Sequence, residues 1–300
     1  MVESDLRKRI NILDVTTGIF FGSAALVTAS VTFVILIFFL NESRGFFDAS
    51  TFSFREFFLG TSWRPALEDF GILPVLVPTI VVAAIAVAVA MPFGISIAVL
   101  LNEYAGTVAR RIIKPILEMF AGIPTVVFGY FALTKLTPFL QGLLGPENIE
   151  PFNLLSAGLT IGLLITPTVF TIMDERFSRI PAHLREAPLS VGAHRFEAFR
   201  KAVMPASKTT IRATLVLTFS RAVGESMIVS LAAGSGSVLT ANPLRGAETM
   251  TGYIVRITRG DVAFGTFDYT SIFALAVVLY LISLCMIIIS RRSDKKGIGA

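Results

Sequence analysis

The chain has 300 residues, of which 54% are hydrophobic and 16% charged, with a mean hydropathy of +0.74 and a net charge of +5. Soluble domains carry about 25% charged residues, so this composition excludes an ordinary soluble globule and describes a chain whose solvent is largely lipid. The single cysteine, Cys285, lies in an apolar run, forms no internal disulfide and reads as a packing or lipid-facing residue.

A helix that crosses a bilayer needs about 20 predominantly apolar residues. In chain order, uncharged stretches run Val15–Leu40, Phe70–Asn102, Pro151–Met173 and Tyr269–Ser290. Two further spans are predicted over Pro115–Leu136 and Ile211–Ala233, the second containing Arg221 and Glu225. These make six candidate spans and an all-α polytopic membrane fold. The first follows Arg7, Lys8 and Arg9, is too long for a signal-peptide core and is expected to stay as an anchor.

Six spans put both termini on one side. With that side inside, the inner segments hold 18 of the 26 basic residues and the outer segments 7, Arg221 lying within a span. Basic residues gather on the cytoplasmic side, so both termini are expected there. The positive charge is then a topology signal, and no nucleic-acid partner is expected. Three regions follow: 1–72, with the cytoplasmic N-terminus, the first span and an outer loop; 73–290, a core holding the remaining spans; and 291–300, a basic cytoplasmic tail.

The outer loop carries Phe46, Phe47, Phe52, Phe54, Phe57, Phe58 and Trp63. Aromatic residues favour the membrane interface, so this loop is expected to form an interfacial belt.

The inner segment from about 174 to 212 holds 8 of the 26 basic residues and is patterned. Pro181 is suited to start a helix with Ile180, Leu184, Ala187 and Val191 near one face, and Gly192 to end it in a left-handed conformation. A second helix places Phe196, Phe199 and Val203 on one stripe, and Pro205 is expected to close it. Pro188 is expected to shorten or kink the first helix by clashing with the carbonyl of Leu184. Such a knob either docks in a groove on a partner or lies on the bilayer surface.

Arg221 and Glu225 are four residues apart, so on a continuous helix they share a face and are expected to pair. Ionisable groups at membrane depth are costly and face the bundle interior. The pair either fixes packing or serves transport. Arginine, with its planar fork of donors, is the side chain best suited to phosphate. The run containing Gly122, Pro124 and Gly129 either kinks a helix and allows close packing or marks the substrate path.

Glu186-Ala187-Pro188-Leu189-Ser190-Val191-Gly192, followed thirteen residues after the glycine by Pro205, resembles the E-A-A loop of binding-protein-dependent ABC importer permeases. Arg221-Ala222-Val223-Gly224-Glu225-Ser226, Ala121–Gly129 and the Phe70-Gly71-Ile72-Leu73-Pro74 run resemble motifs of the PstC family of phosphate-specific permeases. The resemblance spans roughly residues 60–290. It implies a MetI-like type I permease core in the bacterial inner membrane, a second PstA-like permease, a PstB-like ATPase dimer and an extracytoplasmic PstS-like phosphate-binding protein. It implies that Arg221 and Glu225 serve the pathway. It also implies that Glu186, Ala187, Gly192, Phe196, Phe199 and Pro205 form the ATPase coupling loop. No G-x-x-x-x-G-K-[ST] run is present to cradle nucleotide phosphates. The chain is therefore expected to be no enzyme and to bind no cofactor or metal, with ATP and Mg held by the partner ATPase. The competing readings are a permease for sulfate, molybdate or phosphonate, the PstA-like partner itself, a proton-coupled carrier using Glu225, and a structural subunit.

Overall fold

The computed structural model describes residues 12–120, 122–260 and 262–295. Arg7, Lys8, Arg9, Ala121 and Lys296 lie outside the described residues. The first helix, α1 (Ile12–Phe47), runs seven residues past the predicted span. Among the described residues, four helices are long and apolar enough to cross a membrane: Thr16–Phe47, Leu73–Tyr104, Leu154–Ser178 and Phe267–Ile289.

After α1 come a short helix α2 (Phe54–Leu59) and a two-residue hairpin, β1 (Trp63–Arg64) with β2 (Asp69–Phe70), paired Trp63 to Phe70. Arg64 closes the hairpin on Asp69 at 2.8 Å. The aromatic loop is not simply an interfacial belt. Phe46, Phe57, Trp63 and Phe70 are buried and form a second core with Tyr253 and Leu275, while Phe54 and Phe58 stay exposed. The Phe46 and Phe70 rings meet 4.7 Å apart, and Trp63 stands edge-on to Tyr253 at 5.6 Å. So many large rings bury more area against one another than an interface would cover, and edge-to-face pairs add to it.

The main core is built on α3 (Leu73–Val99), extended by a π-turn over Leu100–Tyr104, and on the later helix Leu154–Ser178. Between them the chain forms α4 (Thr107–Phe120), α5 (Thr125–Phe131), a π-turn and α6 (Thr137–Leu144), and then that long helix as α7 (Leu154–Ser178). The close approach of α3 and α7 rests on glycines. A Cβ on Gly158 would meet Ile85 at 2.7 Å, one on Gly162 would meet Val89 at 2.6 Å, and one on Gly94 would meet Val169 at 2.6 Å. Small residues spaced by four let helix backbones touch in lipid, where dispersion rather than hydrophobic exclusion drives packing. The Gly158-x-x-x-Gly162 spacing carries this signal in the sequence.

The predicted span Pro115–Leu136 is not one helix. The chain turns by 88° between Val108–Phe120 and Thr125–Leu144, at Gly122 and Pro124. Helix α4 is instead amphipathic. Val108, Ile112, Ile116 and Met119 lie on its exposed side, while Arg110 and Lys114 reach the buried Asp174 of α7 at 2.9 and 3.3 Å. Asn102 adds a hydrogen bond to Asp174 at 2.8 Å, so the ends of three helices share one carboxylate.

The patterned basic segment forms α8 (Ala182–Ser190), α9 (Arg195–Ala198), a π-turn over Phe199–Val203 and α10 (Met204–Ala206). The predicted span Ile211–Ala233 is also broken, into α11 (Lys208–Val223) and α12 (Met227–Ala232). An irregular stretch leads to α13 (Met250–Arg259), and α14 (Phe267–Lys295) packs against α1, with Phe38 edge-on to Phe273 at 5.5 Å. The six expected crossings therefore resolve into four continuous helices, one bent pair and one broken helix carrying charge.

Candidate pathway and coupling surface

Gly224 ends α11, and the chain leaves helical geometry before α12 begins at Met227. This break removes the geometry on which the Arg221–Glu225 pair depends. Arg221 Nη1 donates to Thr168 Oγ1 of α7 at 2.9 Å, and among the described residues it has no ion pair. Glu225 turns the other way. Its Oε1 accepts from the backbone N–H of Met227 at 3.1 Å and Ile228 at 3.4 Å, capping α12. A carboxylate suits that place because the first amides of a helix lack partners and carry partial positive charge. Thr251 Oγ1 donates to the Glu225 carbonyl at 2.7 Å and ties α13 to the break.

The Gly-Pro run comes to the same place by another route. Pro124 stands at the start of α5, and Gly129 lies against α12, where a Cβ would fall 2.8 Å from Leu231 Cδ1 and 3.2 Å from Ile228 Cα. A Cβ on Gly122 would meet only Met119 O at 3.4 Å, so its place is in the turn rather than in packing. Two interrupted helices thus meet, and Arg221 lies exposed on the outside of this chain beside them. Irregular backbone at membrane depth is tolerated where it is covered by protein or lines a cavity.

At the end of α8, Gly192 takes φ +88°, as expected for a left-handed helix end. Ala193 N–H donates to Pro188 O at 3.0 Å and Gly192 N–H to Leu189 O at 3.0 Å. These are the two bonds of a Schellman closure. The first helix is not cut short at Pro188, since α8 continues to Ser190. A proline in the last turns withholds one donor from Leu184, and its own carbonyl serves the closure. Nor does Pro205 close the second helix. The π-turn brings Met204 N–H back to Phe199 O, helix continues through Ala206, and α11 starts at Lys208. A proline tolerates this because a wider turn has already disturbed the ladder ahead of it.

The expected stripe divides. Phe199 and Val203 are buried, Phe199 edge-on to Phe177 at 5.4 Å, whereas Phe196 is 60% exposed. Val191 at 84% and Leu189 at 41% join Phe196 as exposed apolar groups, with Glu186 and Ala187 also on the surface. Glu197 accepts the His194 backbone N–H at 3.3 Å, and that bond, with Lys201 nearby, holds its carboxyl below the usual range. The knob is anchored to the end of the first core helix: Arg185 pairs with Glu103 at 3.4 Å, and Arg195 donates to the Glu103 carbonyl at 3.2 Å.

Beyond the break, Arg256 of α13 grips buried Glu248 at 2.6 Å and lies over the Tyr253 ring at 5.2 Å. Hydrogen bonding to Glu248 pushes the guanidinium pKa up. Sequence reasoning missed Thr168, Asp174, Glu103 and Glu248, because their partners lie 8 to 92 positions away with no periodic signal, as Arg195 and Arg256 illustrate.

The family of binding-protein-dependent transport system inner membrane components matches residues 90–297. The chain belongs to this family. A phosphate transport system permease protein PstC from Mesorhizobium japonicum is 30% identical over 259 residues, covering 81% of this chain and 78% of that protein. A probable ABC transporter permease protein YqgH from Bacillus subtilis is 28% identical over 271 residues, covering 90% of this chain and 87% of the relative. The fold is shared with a bacterial alginate ABC transporter solved with a periplasmic protein bound to alginate pentasaccharide: TM-score 0.62, 17% identity, 92% of this chain and 96% of that one. The protein is thus a multi-pass permease subunit of an ABC importer. Permeases of this family are non-catalytic and work beside an ATPase and a binding protein.

Proposed function

We propose that this permease carries inorganic phosphate, with a second, PstA-like permease completing the pathway. A PstB-like ATPase pair would sit on the inner face and a PstS-like phosphate-binding protein on the outer face. The observation that carries this reading is Arg221. Its guanidinium is exposed on the chain's surface beside two helix breaks, with a threonine hydroxyl rather than a carboxylate as its recorded partner. A planar fork of donors with unspent capacity suits a tetrahedral oxyanion. The match to phosphate permeases agrees with it.

In this reading Arg221 receives the anion between the two permeases. Glu225 holds the start of α12, and the bent segment at Gly122, Pro124 and Gly129 forms a neighbouring wall. Leu189, Val191 and Phe196, with Glu186, form the surface that enters a groove on the ATPase, while Phe199 and Gly192 shape the knob from within. ATP and Mg belong to the ATPase. Both termini are cytoplasmic, as the distribution of basic residues supports. Uptake of radiolabelled phosphate by the assembled importer, with sulfate and molybdate as competitors, tests the anion. Weak competition at tenfold excess is expected, and sulfate or molybdate displacing phosphate equally would reject phosphate as the specific cargo.

A further inference from the structure

A cleft of about 330 Å³ opens between α12, the Gly234–Ser237 turn and α13, and its lining includes Ser230, Ser235, Glu248, Arg256, Arg259 and Gly260. Gly234 makes the turn with φ +111°, where a Cβ would lie 3.2 Å from Ala247 N. The two arginines in the cleft differ. Arg256 is committed to Glu248 through Nε and Nη2, at 2.6 and 3.1 Å. Arg259 is exposed, and its recorded contact is Nη2 to Met227 Sδ at 3.5 Å. A thioether is a weak acceptor, so most of that guanidinium's five donors are unspent among the described residues. The Ser230 hydroxyl already donates a hydrogen bond to Met227 O at 3.0 Å. The Ser235 hydroxyl is exposed and makes no hydrogen bond among the described residues.

The cleft's position gives these donors a use. Met227 is the first residue of α12, two positions after the capping Glu225. Helix α11 starts from the inner segment, so Met227 lies outward of Arg221 along the chain. A cation contacting Met227 from α13 therefore stands on the outer approach to the break. We propose that Arg259 and Ser235 form an outer receiving site for a small tetrahedral oxyanion, which passes from there towards Arg221. The site rests on the importer reading above. Arg256 and Glu248 neutralise one another in the same cleft, so the net positive charge there comes from Arg259.

The test uses the assembled importer in sealed membranes, with Cys285→Ala removing the native thiol. A cysteine is introduced by Gly260→Cys, at a position that borders the cleft and has φ −87°. An impermeant thiol reagent is applied from outside, with inorganic phosphate, sulfate, or chloride at matched ionic strength. Ser62→Cys, in the outer hairpin, is the control. It labels from outside whatever the anion, and failure to label would place this face inside. Phosphate should slow Gly260→Cys labelling several-fold over chloride, and Arg259→Gln should remove the protection. Sulfate protecting equally supports an oxyanion site without phosphate preference.

In uptake, Arg259→Gln should raise KM about tenfold, the loss of one charge-assisted contact, with maximal rate kept. Absence of protection, or protection that survives Arg259→Gln, overturns the inference. Lost docking of the binding protein without anion protection overturns it too, and assigns Arg259 to a protein contact. Full uptake in Arg259→Gln beside none in Arg221→Gln rejects this site and leaves the pathway reading standing. Full uptake in both rejects the pathway reading itself.

Discussion

Arg221→Gln is expected to lower phosphate uptake about a hundredfold, the effect of losing a strong charge-assisted contact at the point of passage. The importer should still assemble. Arg221 is exposed and its contact is a threonine hydroxyl at 2.9 Å, so removing the charge strands no carboxylate, because Glu225 is engaged with the amides of α12. Lysine restores the charge without the planar fork, so Arg221→Lys should keep a small part of the uptake. The measurement is initial uptake in vesicles at equal importer content, with ATP hydrolysis read alongside. Hydrolysis should persist in both variants. Normal uptake in Arg221→Gln would remove this arginine from the pathway, and lost assembly would make it a packing residue.

Gly192→Val attacks the other end of the machine. At φ +88° an L-residue pays about 1–2 kcal/mol, and a β-branched side chain is worse placed still. No atom lies within 4 Å of the position a Cβ would take, so the effect comes from the backbone and not from a clash. The two hydrogen bonds that close α8 should be lost and the surface of Leu189, Val191 and Phe196 disordered. Membrane insertion should be normal, since the residue lies outside every crossing. Co-purification of the ATPase should fall about tenfold, matching about 1.4 kcal/mol, with uptake reduced accordingly. Gly192→Asn, which visits the left-handed region more readily, should recover part of the binding. Unchanged co-purification and uptake in Gly192→Val would show that the ATPase docks elsewhere.

The long apolar helices were legible because lipid imposes a length and a composition, and α7 and α14 lie close to where the apolar runs placed them. The left-handed end at Gly192 was legible because glycine's freedom has one obvious use there. The breaks were harder to read. Hydropathy averages over Gly122–Pro124 and Gly224–Ser226 without registering that the chain turns, so two apolar windows passed for continuous spans. Once α11 ends at Gly224, four-residue spacing no longer means a shared face, and the expected ion pair gives way to a threonine contact and a helix cap. The aromatic loop misled for a related reason. Phenylalanine favours an interface and a core alike, and only the fold of residues 46–70 against α13 decides that Phe46, Phe57 and Trp63 are interior.

Reconstituted vesicles holding both permeases, the ATPase and an excess of loaded binding protein test the central claim most directly. Labelled phosphate uptake is measured with ATP supplied to the ATPase side, with and without a protonophore. Uptake that needs hydrolysable ATP and ignores the protonophore is the expected result. Phosphate accumulation without ATP, driven by a proton gradient and abolished by Glu225→Gln, would instead make the chain a proton-coupled carrier.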